Sequence, residues 1–444
     1  MANKSGRLTR REFVKVTAVG SMAAGAGPFF LFPERARAAR KTLRIGQWSH
    51  FVPDFDVWFD KTYTKEWGAK HDTEVMVDHI SVNELPAKAA AEASAKKGHD
   101  LFMLQSPPAA YEAQVIDLTN VYGEVEKRHG KKIELAHKST YNPKTKKYFA
   151  FSDFYVPDPG NYYKEWWADA GYPNGPGTWD DLYQGAKKIR EKTGHPCGLG
   201  LSQEVDTSMA MRALLWSFGG KEQDEHGNVA INSKETIEAL KYMKALYQDT
   251  ETPEVFTWDP SSNNRAMLAG KTSYVQNAIS ITREAERERR EISRHIMICP
   301  ALKGPAARLS SEHVMSCYFV WEFAENKEGA QQFLIDMIDN FKAVFEASKW
   351  YNFPCFPSTV PDLQKTLQDD PAAEPRDKYK ALGNVLEWAT NIGHPGYATA
   401  GIDEAFRTWV LPTVFARVAR GDETPENGAK MLEAEYKRIW DRWK

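Results

Sequence analysis

The sequence predicts an α/β protein of two lobes, each a mainly parallel β-sheet flanked by helices, with a cleft between the lobes. At 444 residues the chain is too long for one ordinary hydrophobic core, so two or more lobes are expected. Alternating strand-like and helix-like segments lie on both sides of residues 150–160, where Pro157 and Pro159 disfavour helix. We interpret this stretch as an extended crossing between the lobes. A cleft crossed by backbone is where a ligand would bind.

Residues 1–38 are predicted to be a twin-arginine export signal. Arg10 and Arg11 precede a weakly apolar, uncharged run at 16–33, and Ala36-Arg37-Ala38 is typical of a cleavage site. A membrane anchor is the less favoured alternative, because spanning needs about 20 mainly apolar residues and this run is diluted with Gly and Pro. The mature protein is therefore expected to be periplasmic.

The charge of the predicted mature chain bears on its partners. Removing residues 1–38 lowers Lys+Arg from 58 to 51 and Asp+Glu from 60 to 58, so the formal net charge moves from -2 to -7. An acidic surface is unfavourable for binding phosphate backbones, so no nucleic-acid partner is expected.

The first lobe begins with a strand, helix, strand, helix, strand order. Segments 43–48 and 74–80 have strand patterns, and in the segment 100–104 the run after Asp100 is continuously apolar, as expected of a central strand. Between the first two strands an apolar stripe predicts a helix, with aromatic residues at every fourth position: Phe55, Phe59, Tyr63 and Trp67. This order implies parallel strands, and ligands bind beyond the C-terminal ends of such strands.

The residues at those strand ends are the first binding candidates: Trp48, His50, Gln105 and Ser106. Trp48 offers a flat apolar face, and the other three offer hydrogen-bonding groups. A structural role remains an alternative, since Trp48 can cap the core and Gln105-Ser106 can begin a helix.

The second run of segments begins after the crossing. Thr178 and Asp181 have the spacing of a capping box before a helix that ends near Gly194. Residues 283–294 are densely charged with both signs, which predicts a solvated helix face. Segments 296–300 and 314–321 are predicted to be paired strands.

The four cysteines leave two alternatives open. Cys299 and Cys317 lie in the two predicted paired strands and could form a disulfide, while buried free thiols are equally compatible with the sequence.

The sequence has no His-Glu-x-x-His metal motif, no Gly-x-Ser-x-Gly nucleophile motif and no dinucleotide glycine fingerprint. The eleven histidines are scattered. We therefore predict no catalytic residues, no metal site and no cofactor, and binding without turnover is the simpler interpretation. A secreted glycosidase remains the alternative of another class, because the separation of its carboxylates is not readable from sequence.

Three short segments carry a resemblance to a known family. Residues 162–171 run from tyrosines to an Ala-Gly ending, 178–182 read Thr-Trp-Asp-Asp-Leu, and 267–275 have an apolar-x-x-Gly-Lys strand. In this order they resemble family 1 extracellular solute-binding proteins of ABC importers. The resemblance implies the type II periplasmic-binding-protein fold, with lobes that close around a solute. Carried onto this chain, it places the first lobe at 39–152 plus 282–346 and the second at 153–281 plus 347–444.

The resemblance also implies a function and further candidate residues. A monomer would capture a sugar or related polyol in the interlobe cleft and deliver it to membrane permease subunits. Aromatic rings would stack on the sugar and polar groups would bind its hydroxyls; to the four candidates above this adds Asp153, Tyr155, Trp258, Asn277, Trp350 and Tyr351. A receptor for polyamines or another small organic solute, or one that signals to a membrane receptor, remains an alternative within the same fold.

Overall fold

The computed structural model describes residues 41–288 and 290–444, and the predicted signal peptide lies outside the described residues. Most strands are short and buried, as expected of strands covered on both faces. In chain order the strands are β1 (Lys41–Trp48), β2 (Thr73–Ile80), β3 (Leu101–Leu104), β4 (Tyr141–Asn142), β5 (Lys147–Tyr148), β6 (Phe154–Val156), β7 (Gly160–Tyr163), β8 (Tyr274–Gln276), β9 (Ile296–Cys299), β10 (Ser310–Ser311), β11 (Val314–Met315), β12 (Cys317–Val320), β13 (Phe353–Pro354) and β14 (Ala389–Thr390).

The helices surround these strands. In chain order they are α1 (Pro53–Trp58), α2 (Thr64–Lys70), α3 (Leu85–Ala95), α4 (Thr119–His129), α5 (Glu134–Thr140), α6 (Lys164–Asp169), α7 (Trp179–Thr193), α8 (Val205–Ser217), α9 (Lys234–Thr250), α10 (Ser262–Leu268), α11 (Ser280–Glu288), α12 (Arg290–Ser293), α13 (Lys327–Asp339), α14 (Phe341–Ala347), α15 (Leu363–Gln368), α16 (Ala400–Arg407), α17 (Val410–Arg420) and α18 (Pro425–Arg442). Within the described ranges, no helix is both long enough and apolar enough to cross a membrane.

The first sheet has the strand order β12-β3-β1-β2. β1 pairs in parallel with β2 along its whole length and with β3 near Ile45, while β12 runs antiparallel to β3. The predicted parallel arrangement of the first three strands is therefore confirmed. The apolar side chains of β3 are buried because the strand lies between two others.

The predicted aromatic stripe is buried, but the helix that carries it is interrupted. A π-helical stretch, Phe59–Tyr63, connects α1 to α2. A four-residue spacing drifts by about 40° per step around an α-helix of 3.6 residues per turn. The wider π-helical turn offsets this drift. As a result Phe55, Phe59, Tyr63 and Trp67 all face the core.

The predicted capping box is confirmed at α7. The backbone N–H of Asp181 donates to Thr178 Oγ1 (2.9 Å), and the N–H of Thr178 donates to the Asp181 carboxylate (3.0 Å). The helix ends at Gly194, whose positive φ of 83° provides a left-handed C-cap.

The predicted pairing of 296–300 with 314–321 is wrong. β9 pairs with β7 in the sheet β8-β7-β9, and β12 pairs with β3 in the first sheet. Cys299 and Cys317 therefore lie in different sheets, and both are buried free thiols. Adjacent strands in sequence pair often, but here a loop of ten residues after β9 leads the chain to another sheet.

Buried apolar side chains of the described residues form two large cores. The first draws mainly on 43–156 and 314–388, and the second on 162–302 and 405–439. β6 and β7 lie on either side of Pro157 and Pro159, so the stretch between the cores is extended, as predicted. Further passages between the cores lie near 303–313 and 389–401.

The lobe limits drawn from sequence stay a prediction. Two segments, however, pack in a different core from the one that those limits assign to them. β9 joins the sheet of the second core, and the buried residues of 351–388 pack in the first core. β9 is a short strand and 351–388 contains only a short strand, short helices and turns, so local sequence does not indicate which core they join.

Candidate functional site

A cavity of about 230 Å³ lies between the segment after β1 and helix α11. One wall is formed by residues 51–54, which follow the C-terminal end of β1. The opposite wall is helix α11, which follows β8, and Lys349 and Ala372 complete the lining. In open α/β sheets, ligands bind at such strand ends. The cavity is therefore the candidate binding site.

Buried aromatic rings lie beside this cavity. The ring of Phe51, a lining residue, is edge-on to Trp48 at 5.4 Å between centroids. Trp48 lies 4.8 Å from the ring of His50, which in turn lies 5.2 Å from the ring of Tyr351. The structure thus brings Tyr351, a separate sequence candidate, next to Trp48 and His50. The Tyr351 hydroxyl is buried without a hydrogen-bond partner among the described residues.

His50 is fixed in one neutral form. Its Nε2–H donates to Asn352 Oδ1 (3.0 Å), and its Nδ1 accepts from the backbone N–H of Val52 (2.9 Å). Burial lowers the pKa of His50 to about 4, although the bond to Asn352 opposes this shift. The ring is therefore uncharged at neutral pH and holds the β1–α1 loop against the segment 348–353.

Arg283 of α11 is the charged group of the opposite wall. Its guanidinium lies 4.1 Å from the ring centroid of Tyr379 and 5.1 Å from that of Trp350. Its Nη1 donates to Glu286 (2.7 Å) and to Asp370 (2.6 Å). Burial alone would lower the pKa of Arg283, but Tyr379 and the two carboxylates raise it above its usual value.

The prediction of a solvated helix face at 283–294 is wrong for this end of α11. Arg283 and Glu286 are buried, with 7% and 9% of their surface exposed. Their partners, Asp370 and Tyr379, lie almost a hundred residues further along the chain. A charge pattern along one segment gives no signal of such distant partners, which is why sequence reasoning missed Arg283.

Asn277 lies at the end of β8 in a chain of buried amides. Its Nδ2 donates to Asn264 Oδ1 (2.8 Å), and Asn161 donates to its backbone oxygen (2.8 Å). Its own Oδ1 is buried and has no hydrogen-bond partner in the described part of the chain. The amide oxygen is therefore able to accept a hydrogen bond.

A histidine bridge connects two crossing segments to the second core. His313 Nδ1 lies 3.1 Å from Asp158, and its Nε2 lies 3.4 Å from Asp206 at the start of α8. Asp158 also accepts from Gln276 (2.5 Å) and Asp206 from Asn263 (2.6 Å). These residues were not among the sequence candidates. The one available signal was the position of Asp158 between the two crossing prolines.

Other sequence candidates lie in or near the crossings. Asp153 is buried, and burial raises the pKa of its carboxyl to about 7. Tyr155 belongs to β6, and its ring packs 5.8 Å from Phe353. The backbone oxygen of Gln105 accepts from Met315 (3.0 Å), and its side-chain Nε2 is buried without a partner in the described residues. Ser106, beside it, is buried as well.

Trp258 and Trp350 differ in position. Trp350 is half-buried and stacks on Arg283, next to the cavity. Trp258 packs against the second core and a small neighbouring cluster. Its ring lies close to the backbone of Gly198. The structure therefore does not bring Trp258 together with Trp48 and Tyr351.

The described residues contain no group of three or more His, Cys, Asp or Glu side chains arranged to hold a metal ion. The carboxylates and imidazole of the His313 bridge are held by hydrogen bonds to one another and to amides. The cavity is lined by Phe51 and by charged side chains of both signs, including Arg283, and the rings of Trp48 and Trp350 lie beside it.

Two α/β units joined by several chain passages, with a cavity between strand ends, define the type II periplasmic-binding-protein fold, as the sequence predicted. The family described as "Bacterial extracellular solute-binding protein" matches residues 53–341. The chain belongs to this family, and the predicted resemblance is confirmed. Membership implies an exported protein.

Solved structures share this fold at low sequence identity. The maltose-bound MalE3 of T. maritima has a TM-score of 0.75 and 20% identity, and the match covers 90% of this chain and 99% of that one. A solute-binding protein of Thermotoga lettingae bound with α-D-tagatose has a TM-score of 0.71 and 18% identity, with 90% and 99% covered. A solute-binding protein from Agrobacterium radiobacter in complex with ribitol has a TM-score of 0.69 and 19% identity, and the match covers 90% of this chain and 98% of that one.

Curated relatives match over a shorter region. Proteins of Brucella abortus and Brucella suis, each described as a binding protein, are 25% identical over 175 residues. The match covers 39% of this chain and 42% of the length of those relatives.

Proposed function

We propose that the protein is the periplasmic solute-binding component of an ABC importer and that it captures a sugar or related polyol in the cavity between the two cores. The observation that carries this proposal is the cavity itself. It lies between the segment that follows β1 and helix α11, which follows β8, and has a volume of about 230 Å³. Similar proteins bound to maltose, tagatose and ribitol support the same solute class.

The aromatic rings beside the cavity and the amide at the end of β8 suit a hydroxyl-rich ligand. Trp48, Tyr351 and Trp350 provide aromatic faces on which a sugar ring can pack. The Asn277 amide oxygen and the Tyr351 hydroxyl are buried groups without partners among the described residues, and each can bind a hydroxyl.

We keep all ten sequence candidates as proposed ligand-binding residues, but the structural support differs among them. The contacts beside the cavity support Trp48, His50, Trp350 and Tyr351. Burial at strand ends and crossings supports a second group: Gln105, Ser106, Asp153, Tyr155 and Asn277. Trp258 rests on the sequence argument alone.

The proposed mechanism is capture and closure without turnover. The open form binds solute, the cores rotate about the crossings, and the closed form docks on permease subunits. The protein would be a monomer exported by the twin-arginine route. Its lobes would follow the limits predicted from sequence, except that β9 would belong to the second lobe and 351–388 to the first.

Calorimetry on the purified mature protein tests the proposal. We expect saturable binding within a panel of mono- and disaccharides and alditols, and no product from chromogenic glycosides. Mass spectrometry of small molecules released by denaturation would identify a co-purified solute. Turnover of a glycoside would favour the secreted enzyme, and binding only of polyamines would favour the other receptor class; either result contradicts the proposal.

A further inference from the structure

We propose that Asp54 and Lys349 together bind two adjacent hydroxyls of the solute in the cavity. This inference rests on the proposed function, because it concerns the ligand of the same cavity. It goes further by naming the part of the solute that is recognised and the two side chains that recognise it. The solute class that follows is one with at least one pair of neighbouring hydroxyls, as in sugars and alditols.

Asp54 and Lys349 form an accessible charged pair in the cavity lining. Asp54 lies in the first turn of α1, and Lys349 lies in the turn between α14 and β13. The two side chains keep 52% and 54% of their surface exposed, and the Lys349 Nζ lies 3.6 Å from the Asp54 carboxylate. An N–H···O hydrogen bond is shorter, at about 2.7–3.2 Å. Neither side chain makes a hydrogen bond to another described residue, so both keep this capacity for a ligand.

The pair supplies the two hydrogen-bonding roles that a diol can use at once. An ammonium group only donates and a carboxylate only accepts, whereas a hydroxyl does both. One hydroxyl of a diol can therefore donate to Asp54 while its neighbour accepts from Lys349. Hydrogen bonds to charged groups are stronger than those between neutral groups. The attraction between the two side chains is weak by comparison, because both are exposed to water.

An apolar wall adjoins the charged pair. Phe51, Val52 and Pro53 directly precede Asp54 and line the cavity with it. The C–H face of a sugar ring can pack on such a wall while the hydroxyls at its edge reach the two charges. The remaining charged side chains of the lining are two arginines and two glutamates, so their charges balance. Recognition by the pair therefore depends on hydrogen bonds and not on a net charge of the solute.

The backbone of Lys349 is strained, which favours a role for its side chain. Lys349 has a φ of 52° and Trp350 a φ of 63°. The N–H of Lys349 donates to the backbone oxygen of Glu346 (3.0 Å) and that of Trp350 to Phe345 (2.9 Å), the two bonds of a Schellman cap after α14. Glycine is the usual residue at this left-handed position, because a Cβ makes the conformation unfavourable. Residues held in such conformations are concentrated at ligand sites.

Replacing Lys349 with glycine separates ligand binding from stability. Lys349→Gly relieves the backbone strain, so the unfolding temperature without sugar should rise. The same change removes the ammonium, so the affinity for the best-binding sugar should fall about 10- to 100-fold. Asp54→Asn removes the charge of the other partner and should also weaken binding. A structural role of the lysine predicts no loss of affinity in Lys349→Gly.

Lys96→Gly is the matched control. Lys96 is likewise an exposed lysine in the left-handed conformation, with a φ of 50° at the C-cap of α3, and it lies outside the cavity lining. Its replacement should raise the unfolding temperature in the same way and leave the affinity for sugar unchanged.

Calorimetry on the purified mature protein measures the affinities. The solutes are D-glucose, D-galactose, maltose, D-glucitol and ribitol, followed by the monodeoxy analogues of the one that binds best. We expect removal of either of two neighbouring hydroxyls to weaken binding to wild type about tenfold or more. The same removals should weaken binding less in Asp54→Asn or Lys349→Gly, where a hydroxyl has already lost its partner.

The outcomes distinguish this inference from the proposed function. If a sugar or alditol binds wild type but Lys349→Gly binds it equally well, or Lys96→Gly loses as much affinity, the inference is overturned and the proposed function stands. The same holds if no two neighbouring hydroxyls of the best ligand contribute to binding. If none of the five solutes binds wild type, both fail.

Discussion

His313 is a single residue on which contacts from both cores converge. It faces Asp158 in the first crossing and Asp206 at the start of α8. The backbone N–H of Asp206 in turn donates to the Glu204 carboxylate. Burial alone would lower the pKa of His313, but the hydrogen bond to Asp158 and the charge of Asp206 raise it above its usual value. Protonated His313 is therefore favoured in the folded protein.

This shift predicts the pH dependence of the bridge. A raised folded-state pKa contributes stability that is fully present below the unfolded value of about 6.5 and is lost as pH rises through the folded pKa. We expect His313→Gln to lower the free energy of unfolding by about 3 kcal/mol at pH 6 and by less at pH 8.5. Urea unfolding at both pH values measures this. An equal loss at the two values would show that His313 contributes packing only.

Glu251 is a buried carboxyl whose neutral form is favoured in the folded protein, whereas His313 favours its charged form. It is 3% exposed, and its Oε1 accepts from Leu199 (2.8 Å) while Oε2 has no partner in the described residues. Burial raises the pKa of Glu251 to about 8. Because the folded state holds this proton more tightly than the unfolded state, stability falls as pH rises from about 4.3 to about 8.

Replacing Glu251 with its neutral isostere should remove this loss. We expect Glu251→Gln to be more stable than wild type by about 1–2 kcal/mol at pH 8.5, with the difference shrinking toward pH 5. Glu254→Gln, at an exposed position nearby, serves as the control and should change little at either pH. A difference that does not depend on pH would contradict the assignment.

At the scale of single helices and strands, the sequence predicted most features that depend on neighbouring residues. The positions of β1 and β2, the aromatic stripe before β2 and the cap of α7 depend on spacing within a few residues, and these were predictable. The partner of β9 was not, since strand pairing depends on segments far apart in sequence. For the same reason Trp48 was identified from its strand end, whereas Arg283 depends on partners beyond residue 369.

The central strand β7 offers a test at this scale. A Cβ on Gly160 would lie 2.5 Å from the Tyr274 hydroxyl and 2.7 Å from Cys299 Sγ, between the flanking strands β8 and β9. We expect Gly160→Ala to destabilise the protein by about 1–3 kcal/mol through overpacking. Gly123 in α4 has no atom within 4 Å of a built Cβ, so Gly123→Ala should instead stabilise by about 0.5–1 kcal/mol. Thermal unfolding of the pair checks both signs.

At the scale of the whole molecule, contact between the two cores extends beyond the cavity. The 3₁₀-helix Ala109–Gln114 belongs to the first core and lies against α16, beside the second. The N–H of Ala110 donates to Asp403 (2.8 Å), and the guanidinium of Arg407 lies 5.3 Å from the ring of Tyr111. Because these residues line no part of the cavity, they can stabilise a closed arrangement without touching the solute.

If closure is a population shift, weakening this contact should weaken binding at a distance. The apparent dissociation constant rises in proportion as the closed fraction falls, so Arg407→Ala should bind the same sugar about 3- to 10-fold more weakly, with unchanged preference among sugars. Small-angle scattering should show a larger radius of gyration without sugar and a wild-type value at saturation. Arg438→Ala removes an exposed arginine paired within α18 and should change neither quantity. Affinity that is unchanged in Arg407→Ala, or lost together with selectivity, would mean that this contact does not report on closure.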